Sequence, residues 1–68
     1  MSTKMYHWVE DDYQFVVFVG NKSESEHYYK NNGGSRHGLH LISASDHGYN
    51  ENKEVKLPAP VVGKVWNP

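Results

Sequence analysis

The sequence contains no cysteine. Disulfides and every cysteine-ligated zinc or iron–sulfur centre are thereby excluded, and the composition fits a reducing cytoplasm. An excess of charge is missing as well: seven Lys and Arg stand against eight Asp and Glu, a formal net charge of −1. The balance shifts only mildly along the chain, from three Lys against five acids in residues 1–30 to four basic against three acidic residues in 31–68. No global field then favours nucleic acid or an anionic membrane, and neither is expected as a partner. The longest apolar run, residues 15–19 (FVVFV), is far too short to span a bilayer. MSTKMYHWVEDD carries no apolar segment of the signal-peptide kind.

What is present is a short chain rich in rings. Sixty-eight residues form one domain (1–68), and a fold of that size buries only roughly 60% of the surface its unfolded chain exposes. Such folds lean on a staple, and without cysteine the remaining ones are tight packing, a second chain, or a metal held by histidine and carboxylate. Two Trp, five Tyr and two Phe supply large buried area per residue and argue for a folded chain.

Residues 5–9 (MYHWV) and 13–20 (YQFVVFVG) read as β-strands joined by an acidic turn at Glu10, Asp11 and Asp12, which are expected to be solvated. In the second strand Tyr13, Phe15, Val17 and Val19 face one way and Val16 and Phe18 the other. Apolar on both faces, it is expected to be a central or covered strand, a hint of a homo-oligomer. Ser23 and Glu26 have capping-box spacing, which predicts a helix over 24–31, with Gly33 suited to its left-handed stop. A third strand is expected at 39–44 (LHLISA), with Leu39 and Leu41 on one face, and a fourth at 54–57 (EVKL). Pro58 and Pro60 favour extended backbone in a Pro/Val-rich tail over 58–68, whose valines and Trp66 either return to the sheet edge or dock elsewhere. The order ββαββ predicts a small α+β domain with a mostly antiparallel sheet and one short helix; an all-β arrangement, with the helix replaced by a loop, is the competing reading.

Residues 31–40 (NNGGSRHGLH) are the one loop with ligand-binding chemistry. Successive glycine amides can cradle an anion, and Arg36, His37 and His40 could add donors beside Gly34. The spacing matches neither a Walker loop nor the dinucleotide fingerprint, so a helix stop followed by a turn is the stronger reading. Five histidines are many for this length, yet HExxH is absent; a metal site would have to assemble His37, His40, His47 and Asp46 across the fold. Ser35 or Ser43 with a histidine and Asp46 lacks the GxSxG elbow, and the chain offers little depth to exclude water. No catalytic residue and no cofactor is expected.

The rings remain. Trp8, Phe15 and Phe18 are expected inside, whereas Tyr28, Tyr49, Val61, Val62 and Trp66 are the candidate protein-contact residues. The leading expectation is a cytoplasmic, non-enzymatic binding module that occupies or inhibits a protein partner, of the kind that phage and mobile elements encode. Behind it stand a small-ligand binder for a nucleotide or other phosphate compound, using the 33–40 loop, and a histidine-based metal-binding protein.

Overall fold

A computed structural model describes residues 6–48 and 58–66. It is a small α+β fold: strands β1 (His7–Glu10), β2 (Val16–Gly20) and β3 (His40–Ser43) form one antiparallel sheet, and helix α1 (Lys22–Asn31) connects β2 to β3. The fourth expected strand, at 54–57, and Tyr49 lie outside the described residues.

The strand order is β2-β1-β3, so β1 is the centre and β2 flanks it; of the two expectations for the apolar strand, central or covered, the first does not hold. β2 also carries a bulge. Val9 pairs with Phe18 and Glu10 with Val16, which leaves Val17 without a partner of its own. One extra residue in a strand breaks its alternation. Val16 therefore joins Trp8 in the buried cluster, while Phe18 stacks on Tyr28 of α1 at 4.5 Å. Val16 and Phe18, expected to share a face, lie on opposite faces.

β1 is buried on both faces, with Trp8 and Val9 fully covered. On the Trp8 face sit Val16, Ala44 and Trp66, with Tyr6 and Ile42 against them. On the other face the α1 side packs over Val9 and Phe18, the pair that shares a register position. Leu39 is buried just before β3, but Leu41, the neighbour of Val9, is partly exposed.

Helix α1 starts two residues earlier than its expected range. Asn21 is the N-cap: its Oδ1 accepts from the Glu24 N–H at 2.8 Å, and Glu24 Oε1 accepts from the Asn21 N–H at 2.9 Å. This is the reciprocal capping box, built on Asn21 and Glu24 and not on Ser23 and Glu26. Gly20 permits it, since a Cβ there would stand 2.9 Å from the Glu24 Cβ. At the far end Gly33 takes φ +94, as a left-handed stop requires.

The chain end returns to the sheet. The Val16 N–H donates to the Lys64 carbonyl at 2.9 Å, the Gly63 N–H donates to the Val16 carbonyl at 2.7 Å, and Phe15 and Val65 form an antiparallel bridge. A turn over residues 61–64 makes this possible, closed by the Lys64 N–H to the Val61 carbonyl with Gly63 at φ +86. Trp66 thereby reaches Trp8, with ring centroids 4.9 Å apart, and its Nε1–H donates to the Pro58 carbonyl at 2.9 Å.

Two substitutions weigh these elements. Asn21→Ala removes the cap and is expected to cost about 1 kcal/mol in urea unfolding. Trp66→Ala empties one side of the core and is expected to cost about 3–5 kcal/mol, comparable to the whole stability of a small domain. A Trp66→Ala chain that kept wild-type near-ultraviolet dichroism and urea midpoint would show that the ring is not core.

Candidate protein-contact surface

The polar interior comes first, because it decides which rings are available outside. Glu10 ends β1 and is only 6% exposed, although it was expected in a solvated turn. Its Oε2 accepts from the Trp8 Nε1–H at 2.6 Å, and the His47 Nε2 lies 3.7 Å from the same oxygen. The His47 ring stacks on Trp8 at 5.7 Å and tilts against Trp66 at 4.9 Å. Asp46 does not join it. Its carboxylate accepts from the Ser43 N–H at 2.7 Å and from the Ser43 hydroxyl at 3.3 Å, capping the 3₁₀ turn that carries His47.

The other histidines are distributed. His40 projects from β3 and its Nε2 pairs with Asp12 Oδ1 at 2.8 Å, a contact between two exposed side chains. His37 belongs to the 3₁₀ turn Gly34–His37, with its ring laid against Gly33. His27 Nε2 accepts from Asn31 Nδ2 at 2.7 Å on α1. Among the described residues no three His, Asp or Glu side chains are placed to hold a metal ion.

The 31–40 stretch is thus a helix stop, a 3₁₀ turn and a strand start. Gly34, Arg36 and His37 share the turn, while His40 is held on β3 by Asp12. Gly34 also takes positive φ, +58, so both adjacent glycines have a conformational task. Arg36 is exposed.

Of the expected contact residues, Trp66 is the clear correction: it is 6% exposed and belongs to the core. Tyr28 is half-buried against Phe18 and floors an open groove whose walls include Ser23, Glu24 and His27. Three polar groups of that groove are already engaged, Glu24 in the helix cap, His27 with Asn31, and Asn32 with the Tyr28 carbonyl. Val61 and Val62 are 52% and 59% exposed, and beside them Val65 is 48% and Phe15 44% exposed. Phe15 was expected inside; its bridge to Val65 instead places both on the surface. Tyr13, two residues before Phe15, is 79% exposed.

Phe15, Val61, Val62 and Val65 lie on neighbouring segments, because the 61–65 turn is fastened to Val16 by two backbone hydrogen bonds and Val65 bridges with Phe15. Their backbone is fixed while their apolar surface is left in water. A single exposed valine needs no explanation, whereas several exposed apolar residues on neighbouring segments of ordered backbone make this end a candidate contact surface. The sequence signal for Phe15 was the run FVVFV, which one bulged strand cannot bury in full.

No protein-family model, no curated protein and no solved structure matches this chain. The described residues define a small α+β domain with a three-stranded antiparallel sheet and one helix. No helix among them is long and apolar enough to cross a membrane.

The two carboxylate contacts differ sharply in burial, and a pair of variants separates them. Glu10→Ala strips the buried Trp8 Nε1–H of its acceptor and is expected to cost about 1–3 kcal/mol in urea unfolding, with Glu10→Gln milder because an acceptor oxygen remains. Asp12→Ala breaks an exposed pair and is expected to change stability by less than about 1 kcal/mol.

Proposed function

We propose that this chain is a non-enzymatic binding module that occupies a protein partner, with its contact surface at the apolar end formed by Phe15, Val61, Val62 and Val65. One observation carries the reading: four apolar side chains stay about half exposed on backbone that is hydrogen-bonded into the sheet. Ordered apolar surface loses little conformational entropy on association, so more of its burial appears as affinity. Tyr13 extends the surface with the kind of ring that is enriched at interface hot spots. The cysteine-free composition suits action in the cytoplasm.

The test is a comparison of two baits. Wild-type chain and Val62→Asp are each used for affinity capture from the native host lysate, after matched circular dichroism and melting curves. Val62 is exposed in a turn, so the variant should fold as wild type does. A protein retained by wild type and lost with Val62→Asp is expected. Identical protein sets on both baits would remove this surface from consideration.

A further inference from the structure

We propose that Asn32, Gly33 and His37 form a self-modification site: the Gly33 amide closes on the Asn32 side chain, with His37 as general base, and the asparagine becomes an aspartyl residue.

The sequence supplies the reacting pair. Of the asparagines in the chain, Asn32 alone is followed by glycine. A neighbour without a side chain leaves its peptide nitrogen open to the preceding carboxamide, and its backbone freedom lets the ring close.

The fold supplies exposure and a base. Asn32 is the C-cap of α1, outside the helical residues, and both Asn32 and Gly33 are exposed. The backbone bond of the Gly33 N–H, to the Lys30 carbonyl, is long at 3.4 Å. Asn31 and Asn21 are held more firmly. The amide that follows Asn31 donates to the Tyr28 carbonyl at 3.1 Å, and the Asn21 side chain accepts from the Glu24 N–H at 2.8 Å. The turn Gly34–His37 then carries the His37 ring back over Gly33. A Cβ on Gly33 would stand 2.7 Å from the His37 Nε2 and 2.8 Å from its Cγ, so the imidazole fills the space that a side chain would need. Imidazole is the side-chain base suited to proton transfer near neutral pH.

The reaction needs no co-reactant but water. His37 takes the Gly33 amide proton as the nitrogen bonds to Asn32 Cγ. The bond from Cγ to Nδ2 then breaks, and Nδ2 leaves as ammonia with the proton that His37 returns. The five-membered imide takes up water at either of its carbonyls, giving an aspartate or a chain linked through the β-carbon. Water enters, ammonia leaves, and no electrons are exchanged.

Helix α1 registers the product. Asn32 Nδ2 donates to the Tyr28 carbonyl at 2.8 Å. A carboxylate has no hydrogen for that carbonyl, and it sets negative charge at the negative end of the helix dipole. The last turn of α1, which holds Tyr28 against Phe18, is thereby weakened as the chain ages.

The test keeps the purified full chain in neutral buffer without denaturant and follows it by peptide mass spectrometry, with fragmentation that separates Asn31 from Asn32. The mass gain of an amide becoming an acid is expected at Asn32 at least about 10-fold faster than at Asn21 or Asn31. His37→Gln, which keeps a polar side chain but no base, is expected to slow Asn32 by at least about 10-fold while near-ultraviolet dichroism and the Asn21 and Asn31 rates stay as in wild type. Asn32→Asp is expected to melt below wild type. Modification of Asn32 no faster than that of Asn31 overturns the site. An Asn32 that reacts at the wild-type rate in His37→Gln overturns the role of the base and with it the proposal.

Discussion

The contact between Trp8 and Trp66 is the constraint on which the remaining structure depends. Trp8 lies on the central strand and Trp66 near the far end of the sequence, so their meeting at 4.9 Å closes a long loop. Ordering that much chain carries an entropy cost that grows only slowly with length, and two indoles offer enough buried area to offset it. The polar atoms of both rings are provided for. The Nε1–H of Trp8 donates to Glu10 and that of Trp66 donates to Pro58. A buried indole with an unmet N–H would forfeit part of what its ring contributes.

Glu10 and His47 follow from this contact. A carboxylate at the end of a central strand is costly to bury, and here it is held by the neighbouring indole N–H with an imidazole edge 3.7 Å away. His47 covers both indoles from the outside, and it is carried there by a 3₁₀ turn that Ser43 and Asp46 cap. Histidine, carboxylate and serine, which in sequence invite a catalytic or metal-binding reading, thus have structural tasks around the tryptophan pair. The bulge between Val16 and Val17 belongs to the same arrangement. It turns Val16 toward Trp8 and frees its N–H and carbonyl for the returning 63–64 segment.

How much of this was legible in the sequence depends on the range of the interaction concerned. Local chemistry read well: the three sheet-forming runs among the described residues, the helix and its glycine stop are present. The helix start was displaced because Asn21 and Glu24 have the same spacing as Ser23 and Glu26, and only the close approach of Glu24 to Gly20 decides between them. The place of β2 at the sheet's flank was not legible, and neither was its bulge, which leaves no mark in a uniformly apolar run such as FVVFV. Trp66 could not be assigned either, because its partner lies at the other end of the chain. The ligand-loop reading joined His40 to Gly34, Arg36 and His37 by proximity in sequence, but the strand start between them commits His40 to Asp12.

The same long-range contact explains why the surface valines are where they are. To bring Trp66 onto Trp8, the chain must run antiparallel to the start of β2, and the bridge of Phe15 with Val65 is the register that results. A turn is then needed just before it, and Gly63 at φ +86 supplies the bend while Val61 and Val62 occupy its outer positions. Polar residues would serve such a turn equally well, since nothing in its backbone geometry asks for valine. Two exposed valines in a turn whose conformation needs neither are therefore unexplained by the fold itself. Their apolar surface makes sense once something covers it.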